Sequence, residues 1–227
     1  PELPPHRYRQ IGPGDFRERS TQLAALLSKN GLVPEHRVLD IGCGIGRVAL
    51  GLTSVLSPKG SYDGFDVDAR AVRWCTENLT PRHPRFRFTH ANVLTIRHNH
   101  NGVPAEEYRF PYDDASFDFA FATSVFTHLE MPAALQYFRE AHRVLRPGGI
   151  LLATVFLFDG TPSKLEFPVD RGDYRLREAS GVAFAEASVG ALLPEDLWTD
   201  MRIQRGGWQR GGTFSVLTQD VLTARKR

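Results

Sequence analysis

Short apolar runs alternate with amphipathic stretches along most of the chain, and this alternation predicts repeated strand–helix units. Apolar runs predict strands over residues 38–41, 61–65, 86–89, 117–123 and 150–156. The run over 117–123 is nearly continuous, which is typical of a strand that is buried on both faces of a sheet. The pattern therefore predicts an α/β fold with a doubly wound, mostly parallel sheet.

The spacing of apolar residues, together with helix-end signals, predicts the helices between these strands. Helices are expected over 15–28, 48–56, 69–79, from Pro132 to the turn at 145–149, and from Pro194 to Met201. The last of these has acidic residues in its first turn, which suits the helix dipole. After it, residues 203–208 and 214–224 are expected to form two strands joined by a glycine-rich link.

Length and composition are typical of a globular enzyme. The chain has 227 residues, of which 41% are hydrophobic and 24% charged, so we expect a single domain over 1–227. The sequence predicts no signal peptide and has no run near the roughly 18 apolar residues of a membrane span. Two cysteines indicate free thiols in a reducing compartment, and hence a cytoplasmic protein. The formal charge of +2 argues against a nucleic-acid partner.

A glycine-rich turn follows the first predicted strand, and a carboxylate ends the second. Three alternate glycines lie in Gly42–Gly46, where a backbone without Cβ atoms can approach a ligand closely. Asp66 can accept hydrogen bonds from both hydroxyls of a ribose. Arg47 stands where a dinucleotide-binding turn needs its last glycine. The two features indicate a nucleoside cofactor and argue against a nicotinamide-dependent dehydrogenase.

The segment Val38–Gly46 resembles the first motif of the class I S-adenosylmethionine-dependent methyltransferases, hydrophobic-x-Asp-x-Gly-x-Gly-x-Gly, and Asp66 follows at the matching distance. The resemblance covers residues 36–158 well and the terminal strand pair loosely. It implies a Rossmann-like, seven-stranded sheet with an antiparallel terminal strand. It also implies S-adenosyl-L-methionine as the cofactor and S-adenosyl-L-homocysteine as the product.

The resemblance further implies a set of cofactor-binding residues: Asp40, Gly42, Cys43, Gly44, Gly46, Asp66, Val67, Asn92, Val93 and Thr123. The N–H groups of the turn would meet the methionine carboxylate, Asp40 would order the turn and face the amino group, and Asp66 would hold the ribose. Val67 would pack on the adenine. Asn92 departs from the family, which usually has an aspartate there. It keeps an acceptor oxygen for the adenine amino group, but it could also be an ordinary turn residue.

Methyl transfer needs a general base only when the acceptor must lose a proton. His128, just beyond the strand over 117–123, is the candidate catalytic base, although a structural role fits it equally. Cys43 is expected to be a small residue between glycines rather than a nucleophile. The segment over 123–129, which contains His128, lacks the Asn/Asp-Pro-Pro-Tyr/Phe/Trp signature of many nucleic-acid amino-methyltransferases. His98 and His100 have no acidic or cysteine partner nearby in sequence, so no metal site is expected.

Two segments are expected to build the acceptor pocket. Residues 1–30 are interpreted as an N-terminal lid and helix, with Tyr8, Arg9, Ile11 and Phe16. Residues 159–193 lie where this family commonly inserts a cover over the acceptor. That insertion mixes aromatic and arginine side chains: Phe167, Arg171, Tyr174, Arg175 and Arg177. The loop over 94–116 is longer than a typical connection, and its aromatic residues are expected to anchor it to the core.

The leading hypothesis is methyl transfer from S-adenosylmethionine to an oxygen, nitrogen or carbon atom of a small-molecule acceptor. One alternative acceptor is RNA or protein, for which arginines near the C-terminus could form a basic stripe: Arg202, Arg205, Arg210, Arg225 and Arg227. The other alternative is a methyltransferase-like protein that binds the cofactor and catalyses a rearrangement without methyl transfer.

Overall fold

A computed structural model of the chain describes residues 3–5, 15–95, 100–159, 167, 169–177, 181–208 and 216–227. Its helices are α1 (Phe16–Lys29), α2 (Arg47–Leu52), α3 (Ala69–Asn78), α4 (Met131–Val144) and α5 (Val189–Leu192). Its strands are β1 (Arg37–Ile41), β2 (Ser61–Asp66), β3 (Phe86–His90), β4 (Phe117–Ala122), β5 (Leu145–Val155), β6 (Leu157–Phe158), β7 (Val169–Asp170), β8 (Tyr174–Arg177), β9 (Gly181–Ala185), β10 (Trp198–Gln204) and β11 (Asp220–Lys226). The described residues also form short 3-10 turns: Ala105–Glu107, Phe126–His128, Glu186–Ser188 and Val216–Thr218.

Seven of the described strands form one sheet in the order β10-β11-β5-β4-β1-β2-β3. Strand β1 pairs in parallel with β2 and β4, and β2 pairs in parallel with β3. Strand β11 runs antiparallel to β5 and to β10. This confirms the predicted doubly wound, mostly parallel sheet of seven strands with an antiparallel terminal strand.

The chain divides into two compact units, Pro1–Val103 with Phe117–Phe121, and Pro104–Ser116 with Ala122–Arg227. The single domain over 1–227 stays a prediction. In the first unit, β1 is buried from Val38 to Ile41, as a central parallel strand should be. Helices α1 and α2 pack against each other there. The predicted lid residues Tyr8, Arg9 and Ile11 lie outside the described residues.

Aspartates cap two helices of the first unit. The Asp15 carboxylate accepts hydrogen bonds from the N–H groups of Arg17 and Glu18 at 2.8 and 3.1 Å, and so starts α1. Asp68 accepts from Arg70 and Ala71 in the same way at the start of α3. Because Asp68 follows β2 by two residues, this cap fixes where the chain leaves the sheet.

A smaller sheet in the second unit has the order β6-β9-β8-β7, and three of its strands come from the predicted 159–193 insertion. Strand β9 packs against the 3-10 turn Phe126–His128. A buried aromatic cluster accompanies this sheet: Phe156, Phe158, Phe167 and Trp208. The insertion is therefore an ordered element where the structure describes it. Its role as an acceptor cover stays a prediction.

The helix predicted from Pro194 to Met201 is wrong. Only a turn forms, in which Leu197 and Trp198 both donate their N–H groups to the Pro194 carbonyl. Strand β10 begins at Trp198, because pairing with β11 and full burial of the indole outweigh the local helix signal. The strand ends at Gln204, earlier than the 208 that the pattern predicted. None of the described helices is long and apolar enough to cross a membrane.

A buried glutamate anchors the long loop that precedes β4. Glu140, on α4, accepts a hydrogen bond from the Phe110 N–H at 2.8 Å and pairs with Arg143 at 2.6 Å. Arg143 in turn donates to the carbonyls of Tyr112 and Phe110 at 2.8 and 3.1 Å. The Glu140 carboxylate raises the pKa of the Arg143 guanidinium. Phe110 packs edge-on against Tyr137 with ring centroids 5.2 Å apart, so an aromatic side chain does anchor this loop.

We expect Glu140→Gln to lower the free energy of unfolding by about 2–3 kcal/mol, since it weakens a charge-assisted network that is mostly buried. The exposed carboxylate of Glu107 provides the control, and Glu107→Gln should leave stability nearly unchanged. Urea denaturation followed by circular dichroism measures both. Equal midpoints for the two variants would show that the network does not hold the loop.

Candidate functional site

The glycine turn after β1 is tied to the end of β2 by backbone hydrogen bonds. The N–H groups of Gly42 and Cys43 both donate to the Phe65 carbonyl, at 2.9 and 3.0 Å. Gly42, Gly44 and Gly46 have φ angles of 77°, 51° and 74°, in the left-handed region that favours glycine. The sequence therefore needs glycine at these positions to make the turn, independently of any ligand.

Gly44 is the point where the turn meets the carboxylate of Asp66. Its N–H donates to Asp66 Oδ2 at 2.7 Å. A Cβ atom added at Gly44 would have no heavy atom within 4 Å, so the space in front of this glycine is open. A ligand can therefore approach the backbone at Gly44 without displacing a protein side chain.

Backbone N–H groups from two segments orient the Asp66 carboxylate. Its Oδ1 atom accepts from the Asp68 N–H at 2.8 Å, while Oδ2 accepts from Gly44. An ionised carboxylate only accepts hydrogen bonds and has about four lone-pair positions, so the hydroxyls of a ribose are donors that match its chemistry. Asp66 is half-buried, and a ligand can reach it. This donor and acceptor arrangement fits the ribose of a nucleoside cofactor.

Asp40 lies beneath the turn with only 1% of its surface exposed. Its Oδ2 atom accepts a hydrogen bond from the Tyr62 hydroxyl at 2.6 Å, while Oδ1 is buried and has no partner. Burial raises the pKa of the Asp40 carboxyl to about 8; the Tyr62 hydrogen bond lowers this pKa and the charge of Asp66 raises it. An unpaired oxygen in a buried carboxyl is a group that a ligand cation can satisfy, which fits the amino group of a methionyl nucleoside.

Both cysteines lie against the same carbonyl group of the turn. Cys43 Sγ and Cys75 Sγ are each 3.8 Å from the Gly44 oxygen. Burial raises the pKa of both thiols well above the usual range, so they remain protonated at neutral pH. A protonated, buried thiol is a poor nucleophile. The geometry agrees with the expectation that Cys43 is a small packing residue.

Arg47 and Phe16 connect the turn to helix α1. The Arg47 guanidinium carbon lies 5.3 Å from the centre of the Phe16 ring. Burial lowers the pKa of Arg47, although the group still stays charged. Arg47, which stands where a dinucleotide-binding turn needs its last glycine, thus packs against helix α1.

The segment after β3 reaches Asp66 through its backbone. The Ala91 N–H donates to the Asp66 carbonyl at 2.8 Å, and the Asn92 carbonyl accepts from the Val103 N–H at 2.9 Å. The Asn92 residue is exposed, whereas Val93 is buried and Val67 is half-buried. Asn92 is thus exposed one residue after this backbone contact, and its contact with the adenine stays a prediction.

The structure brings together Asp40, the glycine turn with Cys43, Asp66 and the start of the Asn92 segment. Thr123 and His128 belong to the second unit: Thr123 is half-buried just after β4, and His128 is exposed at the end of a 3-10 turn. Sequence reasoning missed Tyr62, because the register of β1 and β2 decides that it meets Asp40. No group of three or more potential metal ligands occurs among the described residues.

Comparisons with known proteins identify the family. A family model described as "Methyltransferase domain" matches residues 38–149. The chain is 29% identical over 171 residues to the 27-O-demethylrifamycin SV methyltransferase of Amycolatopsis mediterranei, covering 73% of this chain and 56% of that protein. It is 32% identical over 149 residues to phthiotriol/phenolphthiotriol dimycocerosates methyltransferase 1 of Mycobacterium ulcerans, covering 63% of this chain and 45% of that protein. The chain thus spans about half the length of these relatives.

A solved structure shares the fold. The 1,6-didemethyltoxoflavin-N1-methyltransferase of Burkholderia thailandensis, with bound 1,6-didemethyltoxoflavin and S-adenosylhomocysteine, has a TM-score of 0.60 and 22% identity, covering 92% of this chain and 79% of that chain. This likeness agrees with the strand order, and the match over 38–149 includes the glycine turn and Asp66. The chain belongs to the class I S-adenosylmethionine-dependent methyltransferase family.

Proposed function

We propose that this protein transfers a methyl group from S-adenosylmethionine to an oxygen, nitrogen or carbon atom of a small-molecule acceptor. The observation that carries the proposal is the Asp66 carboxylate, held by the Gly44 and Asp68 N–H groups beside an open glycine. When bound, the cofactor supplies a sulfonium methyl group that an acceptor lone pair can take, while the C–S electron pair returns to sulfur.

The residues of the first unit would divide the binding of the cofactor among them. Asp66 would accept the two ribose hydroxyls, and the half-buried Val67 would offer apolar surface to the adenine, while Val93 stays a predicted cofactor-binding residue although it is buried. The Asn92 amide oxygen would accept from the adenine amino group. Asp40 Oδ1 would face the amino group of the methionine part, directly or through water. Four turn N–H groups already donate within the protein, from Gly42, Cys43, Gly44 and Gly46.

In the second unit, we propose Thr123 as a cofactor-binding residue and His128 as the base for an acceptor that must lose a proton. Positioning supplies much of the rate in such a displacement, because the sulfonium is an excellent leaving group. His128 would therefore matter only for an acceptor that loses a proton when it is methylated. A nitrogen acceptor with a free lone pair would not need it for the transfer step.

The names of the relatives support a small molecule as the acceptor, since they refer to demethylrifamycin, phthiotriol and didemethyltoxoflavin. Several of the C-terminal arginines have partners within the protein. Arg205 pairs with Glu186, Arg225 lies 3.4 Å from Asp200, and Arg227 donates to the Glu195 carbonyl. Arg210 lies outside the described residues. Paired arginines offer less charge to a phosphate backbone than a free basic stripe does.

We expect Asp66→Ala to reduce the affinity for S-adenosylhomocysteine at least about 100-fold, because two hydrogen bonds to a charged group are lost. Isothermal titration calorimetry measures this directly. Asp113→Ala removes an exposed carboxylate and serves as the matched control. An unchanged affinity in the Asp66 variant, with its circular dichroism spectrum intact, would contradict the assignment of the cofactor site.

The class of acceptor can be tested without knowing its identity. The protein is incubated with methyl-labelled S-adenosylmethionine and either the low-mass fraction or the macromolecular fraction of a cell extract. We expect label to enter the low-mass fraction, with release of S-adenosylhomocysteine that the Asp66→Ala variant does not give. Label in RNA or protein alone would overturn the small-molecule assignment.

The raised pKa of Asp40 predicts a dependence of stability on pH. Between the unfolded value of 3.8 and the folded value of about 8, the folded state holds a proton that the unfolded state releases. The free energy of unfolding should therefore fall as pH rises through this interval. Asp40→Asn keeps the shape of the side chain but removes the titrating carboxyl, so the free energy of unfolding should fall less as pH rises. Urea titrations at pH 5, 7 and 9 compare the two proteins; equal slopes would show that Asp40 ionises normally.

A further inference from the structure

A cluster of polar side chains in the second unit lies where β5 ends. The Ser124 N–H donates to Thr154 Oγ1 at 2.8 Å, and Gln219 Nε2 donates to Ser124 Oγ at 2.9 Å. Asp220 pairs with Val155, the last residue of β5, so Gln219 stands just beyond the carboxyl end of that strand. In open α/β sheets, ligands bind at the carboxyl ends of the parallel strands.

Ser124 has a backbone conformation that needs an explanation. Its φ of 58° lies in the left-handed region, which is uncommon for a residue with a side chain. The hydrogen bonds with Thr154 and Gln219 hold it there. Backbone strain of this kind persists where the surrounding structure enforces it, and it concentrates at functional sites.

Gln219 is the member of the cluster with an unused hydrogen-bonding atom. The residue is only 6% exposed, and its Oε1 atom is buried without a hydrogen-bond partner. Leaving a buried acceptor unpaired costs about 1–3 kcal/mol, so such an atom in a folded protein needs a partner from elsewhere. The matching partner is an N–H or O–H group.

The backbone of Gln219 is fixed from two sides. A Cβ atom at Gly206 would lie 2.4 Å from the Gln219 carbonyl oxygen, so only glycine allows this close approach. The neighbouring Asp220 carboxylate accepts from the Gly206 N–H, the Leu157 N–H and Trp208 Nε1 at 2.8, 2.9 and 2.7 Å. These contacts fix the Gln219 backbone, and the hydrogen bond from Nε2 to Ser124 Oγ orients the side-chain amide before any ligand arrives, as a specificity group should be oriented.

We propose that Gln219, oriented by Ser124, determines acceptor specificity by accepting a hydrogen bond from an N–H or O–H group of the methyl acceptor. The proposal rests on the proposed methyltransferase function and narrows its substrate class to molecules that carry such a donor. A site built to pair with a donor rejects analogues that lack it, because the buried oxygen then stays unpaired. The amide binds and selects the acceptor, and no proton leaves the acceptor through it.

The test uses pairs of fragments that differ only in the donor, namely phenol with anisole and indole with 1-methylindole. Protein labelled with ¹⁵N and saturated with S-adenosylhomocysteine is titrated with each fragment, and the Gln219 side-chain amide signal is followed by NMR. We expect a donor fragment to shift this signal and to bind about fivefold more tightly than its methylated partner.

Three variants make the test specific. Gln219→Met removes the acceptor at similar volume and should abolish the preference for the donor fragment, while Gln219→Glu keeps an acceptor and should preserve it. Gln204→Met changes an exposed glutamine on β10 and should have no effect. If no donor fragment shifts the Gln219 signal, or if Gln219→Met weakens both members of a pair equally, the proposal is overturned.

Calorimetry on the same samples separates this proposal from the one on which it rests. Wild-type protein that fails to bind S-adenosylhomocysteine would overturn the proposed function. Normal cofactor affinity in wild type and in Gln219→Met, together with equal binding of donor and methylated fragments, would overturn only the role of Gln219. Normal cofactor affinity with loss of donor preference in Gln219→Met supports both.

Discussion

The hydrogen bonds that join the glycine turn to the end of β2 are the constraint on which the candidate cofactor site depends. The Phe65 carbonyl accepts hydrogen bonds from two N–H groups of the turn, and the Asp66 side chain accepts one from the Gly44 N–H. Adjacent parallel strands thus end in one rigid unit, in which the ligand-facing carboxylate is already oriented. The turn makes these contacts with Gly42, Gly44 and Gly46 in the left-handed region, so these glycines have a role in the protein's own backbone as well as toward a ligand.

Local patterns predicted the part of the site that is continuous in sequence. The strand, the turn and the carboxylate of Asp66 could be recognised because their chemistry depends on spacing along one segment. The contacts of Tyr62 and Gln219 could not be predicted in this way, since each is made with a residue far away in sequence: Asp40 on β1 and Ser124 after β4, respectively. The wrongly predicted helix after Pro194 has the same cause. The signals for a helix start lie within one short segment, whereas the pairing of β10 with β11 joins two segments.

Four buried polar side chains among the described residues fall into two kinds. The carboxylates of Glu140 and Asp220 have several donors each and hold loops against the core. Asp40 and Gln219 each keep one oxygen without a partner. The first kind stabilises the fold, since every lone pair in use offsets the loss of water. The second kind costs stability in the absence of a ligand, which is the usual mark of a group retained for binding.

The irregular geometry of β10 affects whether this edge of the sheet can pair with a strand of another molecule. The strand lies at the edge of the seven-stranded sheet and exposes Met201 and Ile203. A flat edge with such side chains is a template for strand addition and aggregation. The register shift between Thr199 and Arg202, with Asp200 in a left-handed conformation, interrupts the row of groups that a second strand would need. A variant in which this bulge is straightened would expose an edge strand that can pair with a strand of another molecule.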